Sequence, residues 1–568
     1  MRLRRREEKC VLGDGTRLHT VLLLPEGEGP WPALLLRHPY DVAGDEVAGM
    51  VDVARLTAAG YLVALQDVRG RFGSDGAFDP CAQEAADGAE AVAWLAARAE
   101  CTGAVGMWGG SYASDTQYAA LLGGAEVKAV APAISPALSA FDGFRFRGGV
   151  PEIGSTLAWT HYAIAPHEIA RVPDADRRAA RQERWEATER AIADGSAYRA
   201  GALSERPDVE PIVAWGLDRL RAPLDAAIQR VGKIGDRIGA VAVPALVIGG
   251  WFDVFLGSTL ELHRRLAEAA RTTGSPAPRL IIGPWSHASM GSEIAGVDFG
   301  PTAAADHLWG DGDLTTQHVR WFDGALRGAP LPDAPVQVFV MGANRWLALE
   351  EFPPPSARTV ELLLGADGAI STTPAAGDRT LVSDPHDPVP TQGGAVLLFG
   401  GFDAGPADQR VIEARPDVMT WRTEPLTADV TVVGAVRAVV HLSTTGTDAD
   451  VVVRLCDEHP DGTVRVIADG VQRGSARGVD SVTGRGERRP LTPGRDEEFE
   501  VDLWATAHTF SRGHRLRVDI AQSSSPRWEV GTNSCGPAGE PGEPQVATWT
   551  IRHGGAHPTR LIVQTVDL

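Results

Sequence analysis

The sequence lacks both a long uncharged apolar run and an excess of positive charge, and each absence excludes a kind of partner. No stretch approaches the about 18 apolar residues that a membrane-spanning helix requires. The formal net charge is -20 at pH 7, and a surface of that sign repels the phosphates of nucleic acids and of anionic membranes. We therefore expect neither a nucleic acid nor a membrane as a partner.

Cysteine and lysine are also scarce. The five cysteines show no C-x-x-C spacing, which argues against a zinc knuckle and against a redox pair. Lysine accounts for only three of the 54 basic residues, a bias from which no function follows. The basic segment 2–6 is followed by Glu7, Glu8 and Lys9, where a signal peptide requires an apolar segment. These features favour a protein of the reducing cytoplasm.

The first half of the chain alternates short apolar runs with helical patterns. Such an alternation is typical of a mostly parallel sheet that has helices on both faces. Between the second and third runs, Ala85, Ala89, Val92 and Ala96 share one face of a predicted helix, and carboxylates occupy the rest. The apolar runs cover residues 33–36, 62–65, 105–108, 127–131, 244–249 and 279–283.

Two changes of composition divide the chain of 568 residues, which is long enough for roughly three to four domains. Helical Arg/Glu/Ala-rich segments such as 174–194 interrupt the sheet pattern and predict an inserted cap. The prolines at 353–355 end it, and Gly/Asp/Pro turns then separate β-rich runs at 430–442, 451–455, 499–503 and 516–520. We assign residues 1–143 and 240–352 to an α/β core, 144–239 to the cap and 353–568 to an all-β sandwich.

A serine stands where the apolar run at 105–108 passes into a turn of small residues. Gly109 and Ala113 flank Ser111 at two residues on either side, which suits the sharp strand-to-helix turn of a nucleophile elbow. Ala113 departs from the strict G-x-S-x-G pattern, although alanine is still small. Taken alone, Ser111 is more often a helix N-cap than a nucleophile.

Two further residues make the nucleophile interpretation the better one. Asp253 follows the apolar run at 244–249, and His287 follows the run at 279–283. An esterolytic serine needs a histidine to accept its proton and a carboxylate to orient that histidine, and an α/β-hydrolase places them in the order Ser, Asp, His. We therefore predict Ser111 as the nucleophile, Asp253 as the triad acid and His287 as the general base. This chemistry requires neither a metal nor a cofactor, and we expect none.

The motifs around these residues resemble those of the cocaine esterase and X-Pro dipeptidyl-peptidase family of serine hydrolases. The resemblance spans nearly the whole chain and implies an α/β-hydrolase core with an inserted helical cap and a C-terminal jelly roll. It also implies an oxyanion hole made of the Tyr40 hydroxyl and the backbone N–H of Tyr112. The motifs that carry it are Gly109–Tyr112, Gly250–Asp253, Gly283–His287, Arg37–Tyr40, Asp67–Gly76 and Gly405–Arg410.

The residues around Asp253 bear on the substrate. Phe255 lies two positions after Asp253 and is followed by Leu256; at the corresponding two positions the related α-amino ester hydrolases carry carboxylates for the substrate's ammonium group. The resemblance therefore favours a small-molecule ester with an apolar acyl group, held by Phe255, Trp159, Leu398 and Phe399.

Other activities stay open at this point. A dipeptidyl-peptidase or an α-amino acyl hydrolase or transferase would need an acidic group near the nucleophile, for which Glu152 and Asp142 are candidates. The carboxylates and glycines of 67–76 match neither the EF-hand nor the P-loop spacing, so we expect no metal or phosphate there. The jelly roll could alternatively bind carbohydrate, and its large surface would suit a homodimer.

Overall fold

The structure is a computed structural model. No helix among the described residues is long and apolar enough to span a membrane. The described residues are 4–43, 50–80, 82–136, 146–198, 238, 243–308, 312–331, 334–398, 402–480, 486–537, 539–555 and 558–568.

The strands of the first 350 residues form one large mixed sheet and two small ribbons. They are β1 Arg4–Val11, β2 Arg17–Leu24, β3 Trp31–His38, β4 Leu62–Asp67, β5 Cys101–Gly110, β6 Val127–Ala133, β7 Phe146–Arg147, β8 Val150–Pro151, β9 Leu246–Phe252, β10 Arg279–Ser286, β11 Glu293–Ile294, β12 Val297–Asp298, β13 Val336–Val340 and β14 Arg345–Leu349. All six predicted apolar runs fall on β3 to β6, β9 and β10. These strands are therefore confirmed.

The large sheet has the strand order β1-β2-β4-β3-β5-β6-β9-β10-β13-β14. All neighbours from β4 to β13 pair in parallel. Because parallel strands end at the same edge, the residues that follow β3, β5, β9 and β10 come together there. The fold is that of an α/β-hydrolase, as predicted.

Helices cover the sheet and build the cap. They are α1 Val53–Ala58, α2 Glu84–Ala96, α3 Tyr112–Leu122, α4 Ile153–Ala158, α5 Ala165–Ala170, α6 Ala175–Ala193, α7 Leu256–Thr273 and α8 Leu314–Arg327, with a π-helical segment at Trp159–Ile164 between α4 and α5. The helix expected at 174–194 forms as α6, with the Asp174 side chain capping it through the amide of Arg177. Most of the cap after Tyr198 lies outside the described residues.

Helix α2 buries a different face from the expected one. Glu84 and Asp87, which the amphipathic pattern leaves to solvent, are both buried. Each forms an ion pair with an arginine outside the helix: Glu84 lies 2.9 Å from Arg37, and Asp87 lies 2.6 Å from Arg69. Burial of a carboxylate is tolerated when a cation and hydrogen bonds compensate for the lost water, and these partners are distant in sequence.

The remainder of the chain forms two packed antiparallel sheets, the jelly-roll domain that was predicted. The elements are β15 Arg358–Leu364, β16 Ile370–Ser371, β17 Gly377–Ser383, α9 Arg410–Glu413, β18 Val418–Arg422, β19 Val430–Thr444, β20 Asp450–Glu458, β21 Val464–Arg473, β22 Glu497–Phe510, β23 Arg515–Ala521, β24 Ala547–His553 and β25 Arg560–Val566. One sheet has the order β16-β15-β25-β19-β24-β17, with β22 beside β19, and the other has the order β18-β23-β20-β21. The four β-rich runs that were expected there form β19, β20, β22 and β23.

The β-domain packs directly on the hydrolase core. Met341, just after β13, exchanges backbone hydrogen bonds with β22 at Ala507 and Thr509. A Cβ on Gly257, in α7, would lie 2.1 Å from the Trp504 indole nitrogen, so the start of that helix and β22 are in close contact. The chain leaves the large sheet after β14 and enters the β-domain at β15, and the prolines at 353–355 lie between them. Our division at 352/353 therefore remains a proposal.

Candidate active site

Ser111 occupies a strained turn between β5 and α3. Its backbone has φ 56 and ψ -126, a conformation that costs a non-glycine residue free energy of order 1–3 kcal/mol and is concentrated at functional sites. Its amide donates to the carbonyl of Ala133 at the end of β6 (3.0 Å). The serine is thus held at the carboxyl edge of the sheet.

The small residues around Ser111 have a steric reason. Gly109 has φ 127, and a Cβ there would lie 2.4 Å from Leu36 Cδ1 and 2.7 Å from the Cβ of Ala113. The alanine methyl therefore fits only because position 109 has no side chain. The departure from the G-x-S-x-G pattern is accommodated in this way.

The N-cap interpretation of Ser111 finds no support in the structure. Ser111 stands at the N-cap position of α3, but its side chain makes no capping hydrogen bond within the described residues. The hydroxyl instead lies in hydrogen-bonding reach of the Tyr40 side chain. Its position suits attack on a bound substrate.

Asp253 and His287 meet at the same edge of the sheet. His287 Nδ1 lies 2.7 Å from Asp253 Oδ2. Asp253 is fully buried, and its Oδ1 accepts a hydrogen bond of 2.7 Å from the amide of Phe255. A buried carboxylate that is held by its own loop fixes the orientation and tautomer of the imidazole, leaving Nε2 for the substrate side.

Phe255 lies against His287, the predicted general base. Its ring meets the His287 imidazole edge to face, with 5.0 Å between centroids and 87° between planes, and only 2% of the residue is exposed. Phe255 therefore limits rotation of the imidazole. Its predicted part in an acyl pocket stays a prediction.

Tyr40 follows β3 and is held from two sides. Its amide donates to His38 Nδ1 (3.0 Å), and its hydroxyl accepts a hydrogen bond from Trp159 Nε1 (2.9 Å). Burial raises the pKa of Tyr40 to about 12, with the hydrogen bonds to Trp159 and Ser111 opposing that rise. The phenol is therefore neutral near pH 7 and carries a proton to donate. Burial also lowers the pKa of His38 to about 4, so that its imidazole is a neutral acceptor.

Tyr112 is the first residue of α3, so its amide belongs to the positive end of that helix. Its hydroxyl donates to Glu84 Oε1 (2.9 Å), and its ring stacks on the indole of Trp159 with 6.3 Å between centroids. The sequence pattern does not predict this contact, because the position of Glu84 in an amphipathic helix indicates a solvent-exposed carboxylate. This hydrogen bond holds Tyr112, whose amide follows Ser111.

The cap brings Trp159 to the site through its π-helical segment. This segment runs from Trp159 to Ile164 inside an otherwise α-helical stretch, and such segments occur frequently at functional sites. Leu398 of the β-domain contacts the same stretch, because a Cβ on Gly154 would lie 2.2 Å from Leu398 Cδ2. The neighbouring Phe399 lies outside the described residues.

Segment 67–76 connects the cap to the core through hydrogen bonds. Asp67 accepts hydrogen bonds from the amides of Val42 and Gly73 (3.0 and 3.2 Å). Arg71 is fully buried and donates to the carbonyl of Pro39 (2.9 Å) and to Glu168 of the cap (3.0 Å). The motif thus supports the loop that carries Tyr40, a role that its glycines and carboxylates alone did not reveal.

Glu152 does not meet the need for an amine-binding carboxylate. It is fully buried, and its Oε1 accepts a hydrogen bond of 2.8 Å from Trp528 Nε1 and lies 3.4 Å from Arg527 Nε. Side chains of the β-domain therefore already contact this carboxylate. Asp142, the other candidate, lies outside the described residues.

Comparisons with known proteins identify two matching family models and a related esterase. Residues 14–289 match the family model described as X-Pro dipeptidyl-peptidase (S15 family), and residues 331–562 match the X-Pro dipeptidyl-peptidase C-terminal non-catalytic domain. Cocaine esterase of Rhodococcus sp. (strain MB1 Bresler) is 31% identical over 581 residues, which cover 97% of each chain.

Two solved structures share the whole architecture. An aminopeptidase from a marine sediment Thaumarchaeota archaeon superposes with a TM-score of 0.82 at 24% identity and covers 100% of this chain and 96% of its own. An α-amino acid ester hydrolase superposes with a TM-score of 0.78 at 24% identity, covering 99% and 96%. At this level of identity the two likenesses establish the fold.

Proposed function

Since this chain belongs to the family of serine hydrolases that contains cocaine esterase and the X-Pro dipeptidyl-peptidases, we propose that it cleaves carboxylic esters through an acyl-enzyme on Ser111. The full-length similarity to cocaine esterase identifies the chain as a serine hydrolase that acts on esters. The observation that carries the mechanism is the 2.7 Å contact of His287 Nδ1 with the buried Asp253.

Acylation begins with attack of the Ser111 hydroxyl oxygen on the ester carbonyl carbon. His287 Nε2 takes the serine proton and later donates it to the departing alcohol, and Asp253 stabilises the imidazolium in between. Water then attacks the acyl-serine by the same route, with His287 removing its proton. The carboxylic acid is released and Ser111 regains its hydrogen.

The oxyanion of each tetrahedral intermediate is held by two donors, the Tyr40 hydroxyl and the Tyr112 amide. The Trp159 indole uses one acceptor site of the phenol oxygen at 2.9 Å, so the phenolic hydrogen is directed elsewhere, toward Ser111. A preorganised donor stabilises the charge that develops on the carbonyl oxygen more than it stabilises the neutral substrate. This difference in binding accelerates the reaction.

The acyl group that best suits the site is apolar. Tyr40, Tyr112 and Trp159 form an aromatic layer beside the nucleophile, and Phe255 replaces the carboxylate of the α-amino ester hydrolases. An X-Pro dipeptidyl-peptidase or an α-amino acyl hydrolase needs an anionic partner for the substrate's ammonium group. Glu152 is fully buried and already contacts Arg527 and Trp528, which supports an uncharged acyl group instead.

The β-domain supports the esterase rather than a separate carbohydrate-binding function. Leu398 meets the cap helix that leads to Trp159, and Trp504 meets the helix that follows Asp253. Both contacts join the β-domain to segments that carry predicted site residues. We propose that it completes the active site.

Labelling with a fluorophosphonate tests the nucleophile. Ser111→Ala should abolish both labelling and hydrolysis of short p-nitrophenyl esters, because no other group supplies the attacking oxygen. Ser114→Ala is the matched control, since Ser114 lies one turn along α3 and its hydroxyl donates a hydrogen bond to Ser135 Oγ (2.5 Å). Full labelling of Ser111→Ala would overturn the assignment.

A substrate panel tests the acyl preference. We expect kcat/KM to be highest for benzoyl esters, followed by short aliphatic esters, with α-amino esters and X-Pro amides far below. A preference for substrates with a free amine would contradict the apolar pocket while leaving the triad intact.

A further inference from the structure

Three histidines converge on one buried aspartate in the β-domain, outside the Ser111 site. Asp457 lies on β20, and its side chain faces His508 of β22 and His514, which directly precedes β23. His508 Nε2 lies 3.0 Å from Asp457 Oδ2, and His514 Nδ1 lies 2.9 Å from Asp457 Oδ1. His459, in the turn after β20, places Nε2 3.8 Å from Asp457 Oδ2.

The ligand atoms of three of these residues form a compact set. One donor atom each from Asp457, His459 and His514 lies within 4.8 Å of the other two. Two ligands bound at ~2.1 Å to a tetrahedral Zn²⁺ are separated by ~3.4 Å. His514 Nδ1 lies 2.9 Å from Asp457 Oδ1, and His459 Nε2 lies 3.8 Å from Asp457 Oδ2, so the two imidazoles face different oxygens of the carboxylate at separations close to that value.

Tight turns fix the backbone at two of the histidines. The His459 amide donates to the Thr463 carbonyl (2.8 Å), and Gly462 returns a hydrogen bond to the His459 carbonyl (2.9 Å). The His514 amide donates to the Ser511 carbonyl (3.0 Å). Preorganised ligands lower the entropy that is lost when a metal binds.

The charge balance of the cluster leaves a negative group without a strong cation. In the described part of the chain, the ion-pair partners of Asp457 are imidazoles, and only 2% of the residue is exposed.

His508 acts on the aspartate rather than as a ligand. Its Nε2 lies 3.0 Å from Asp457 Oδ2, and its Nδ1 is buried and has no hydrogen-bond partner among the described residues. A partner of this kind orients a ligating carboxylate and commonly affects metal affinity by 10- to 100-fold.

We propose that Asp457, His459 and His514 bind one divalent first-row transition metal ion such as Zn²⁺, with His508 orienting the carboxylate. Two imidazoles and one carboxylate form a donor set that such ions prefer. The partly exposed His459 and His514 leave a fourth position for water. Because β22 is also bonded to Met341 of the core, the ion would brace the β-domain close to its junction with the hydrolase.

The site is tested by metal titration of the full chain after treatment with a chelator and its removal. Calorimetry with Zn²⁺ should give one equivalent bound, and Co²⁺ should give a visible spectrum of a low-symmetry nitrogen and oxygen site. His459→Ala and His514→Ala should each weaken Zn²⁺ binding at least tenfold. His307→Ala is the control, because the His307 side chain is 72% exposed and lies outside the cluster.

Thermal unfolding supplies a second readout. Zn²⁺ should raise the Tm of the unaltered chain and of His307→Ala by binding the folded state, but not that of His459→Ala. His459 lies in a turn and is the least buried of the three histidines, so its truncation should preserve the fold. Binding of less than one equivalent, or equal affinity in His459→Ala, would overturn the proposal.

Discussion

Replacement of Trp159 by phenylalanine tests whether the cap helps to form the oxyanion hole. The substitution removes the indole N–H that lies 2.9 Å from the Tyr40 hydroxyl, but retains an aromatic ring to stack on Tyr112. Without that donor, the phenol oxygen can rotate its hydrogen away from the position of the oxyanion. We therefore expect kcat to fall while the fold persists.

The size of the effect follows from one neutral hydrogen bond. Such a bond contributes about 0.5–1.5 kcal/mol net, and ~1.4 kcal/mol corresponds to a tenfold change in rate. Trp159→Phe should thus lower kcat by roughly 3- to 10-fold. Tyr40→Phe, which removes the proposed oxyanion donor itself, should lower kcat by about 10²-fold.

A double-mutant cycle separates this role from simple packing. If Trp159 acts through Tyr40, then Trp159→Phe should change kcat by less than about 1.5-fold when Tyr40 is already phenylalanine. Trp185→Phe is the control, because Trp185 also donates its indole N–H within the cap, to the His161 carbonyl (3.0 Å). An equal loss of kcat from Trp159→Phe in both backgrounds would refute the reasoning.

Two further predictions concern buried carboxylates. Asp253→Asn should keep the loop hydrogen bond from Phe255 but favour the wrong imidazole tautomer, so that kcat falls by up to about 10⁴-fold; near-normal turnover of p-nitrophenyl esters would move the triad acid elsewhere. Burial raises the pKa of Glu152 from 4.5 to about 7, with Arg527 opposing the rise. The folded state therefore keeps a proton that the unfolded chain has released, and this group's contribution to stability decreases as the pH rises from about 4.5 to 7. The Tm of Glu152→Gln minus the Tm of the unaltered chain should therefore increase between pH 5 and pH 8. A Tm difference that does not change with pH would contradict this prediction.

Much of the hydrolase core could be predicted because its signals are local. Continuous apolar runs identify buried parallel strands, and Ser111, Asp253 and His287 each follow such a run. The carboxyl ends of parallel strands share one edge, so chain order and strand position together predict that the three residues meet. The contact between Asp253 and His287 depends on little else.

The residues that support these groups could not be found in the same way. Glu84 lies in α2 and Arg37 lies in β3, and the local sequence around each indicates a solvent-exposed charge rather than a buried ion pair. The absence of C-x-x-C spacing argues against a zinc knuckle, but it does not address the cluster that Asp457, His459 and His514 form between separate segments of the β-domain. Such clusters depend on sheet register, and no local pattern encodes it.

The sequence by itself determined the reaction class, because a nucleophile, an acid and a base are required by chemistry and their order is fixed by topology. Tertiary structure decided what surrounds them. The Trp159 indole meets Tyr40 across 119 positions, and Glu152 meets Trp528 across 376. Packing of the cap and the β-domain against the core creates these contacts, because hydrogen bonds between distant side chains depend on the completed fold.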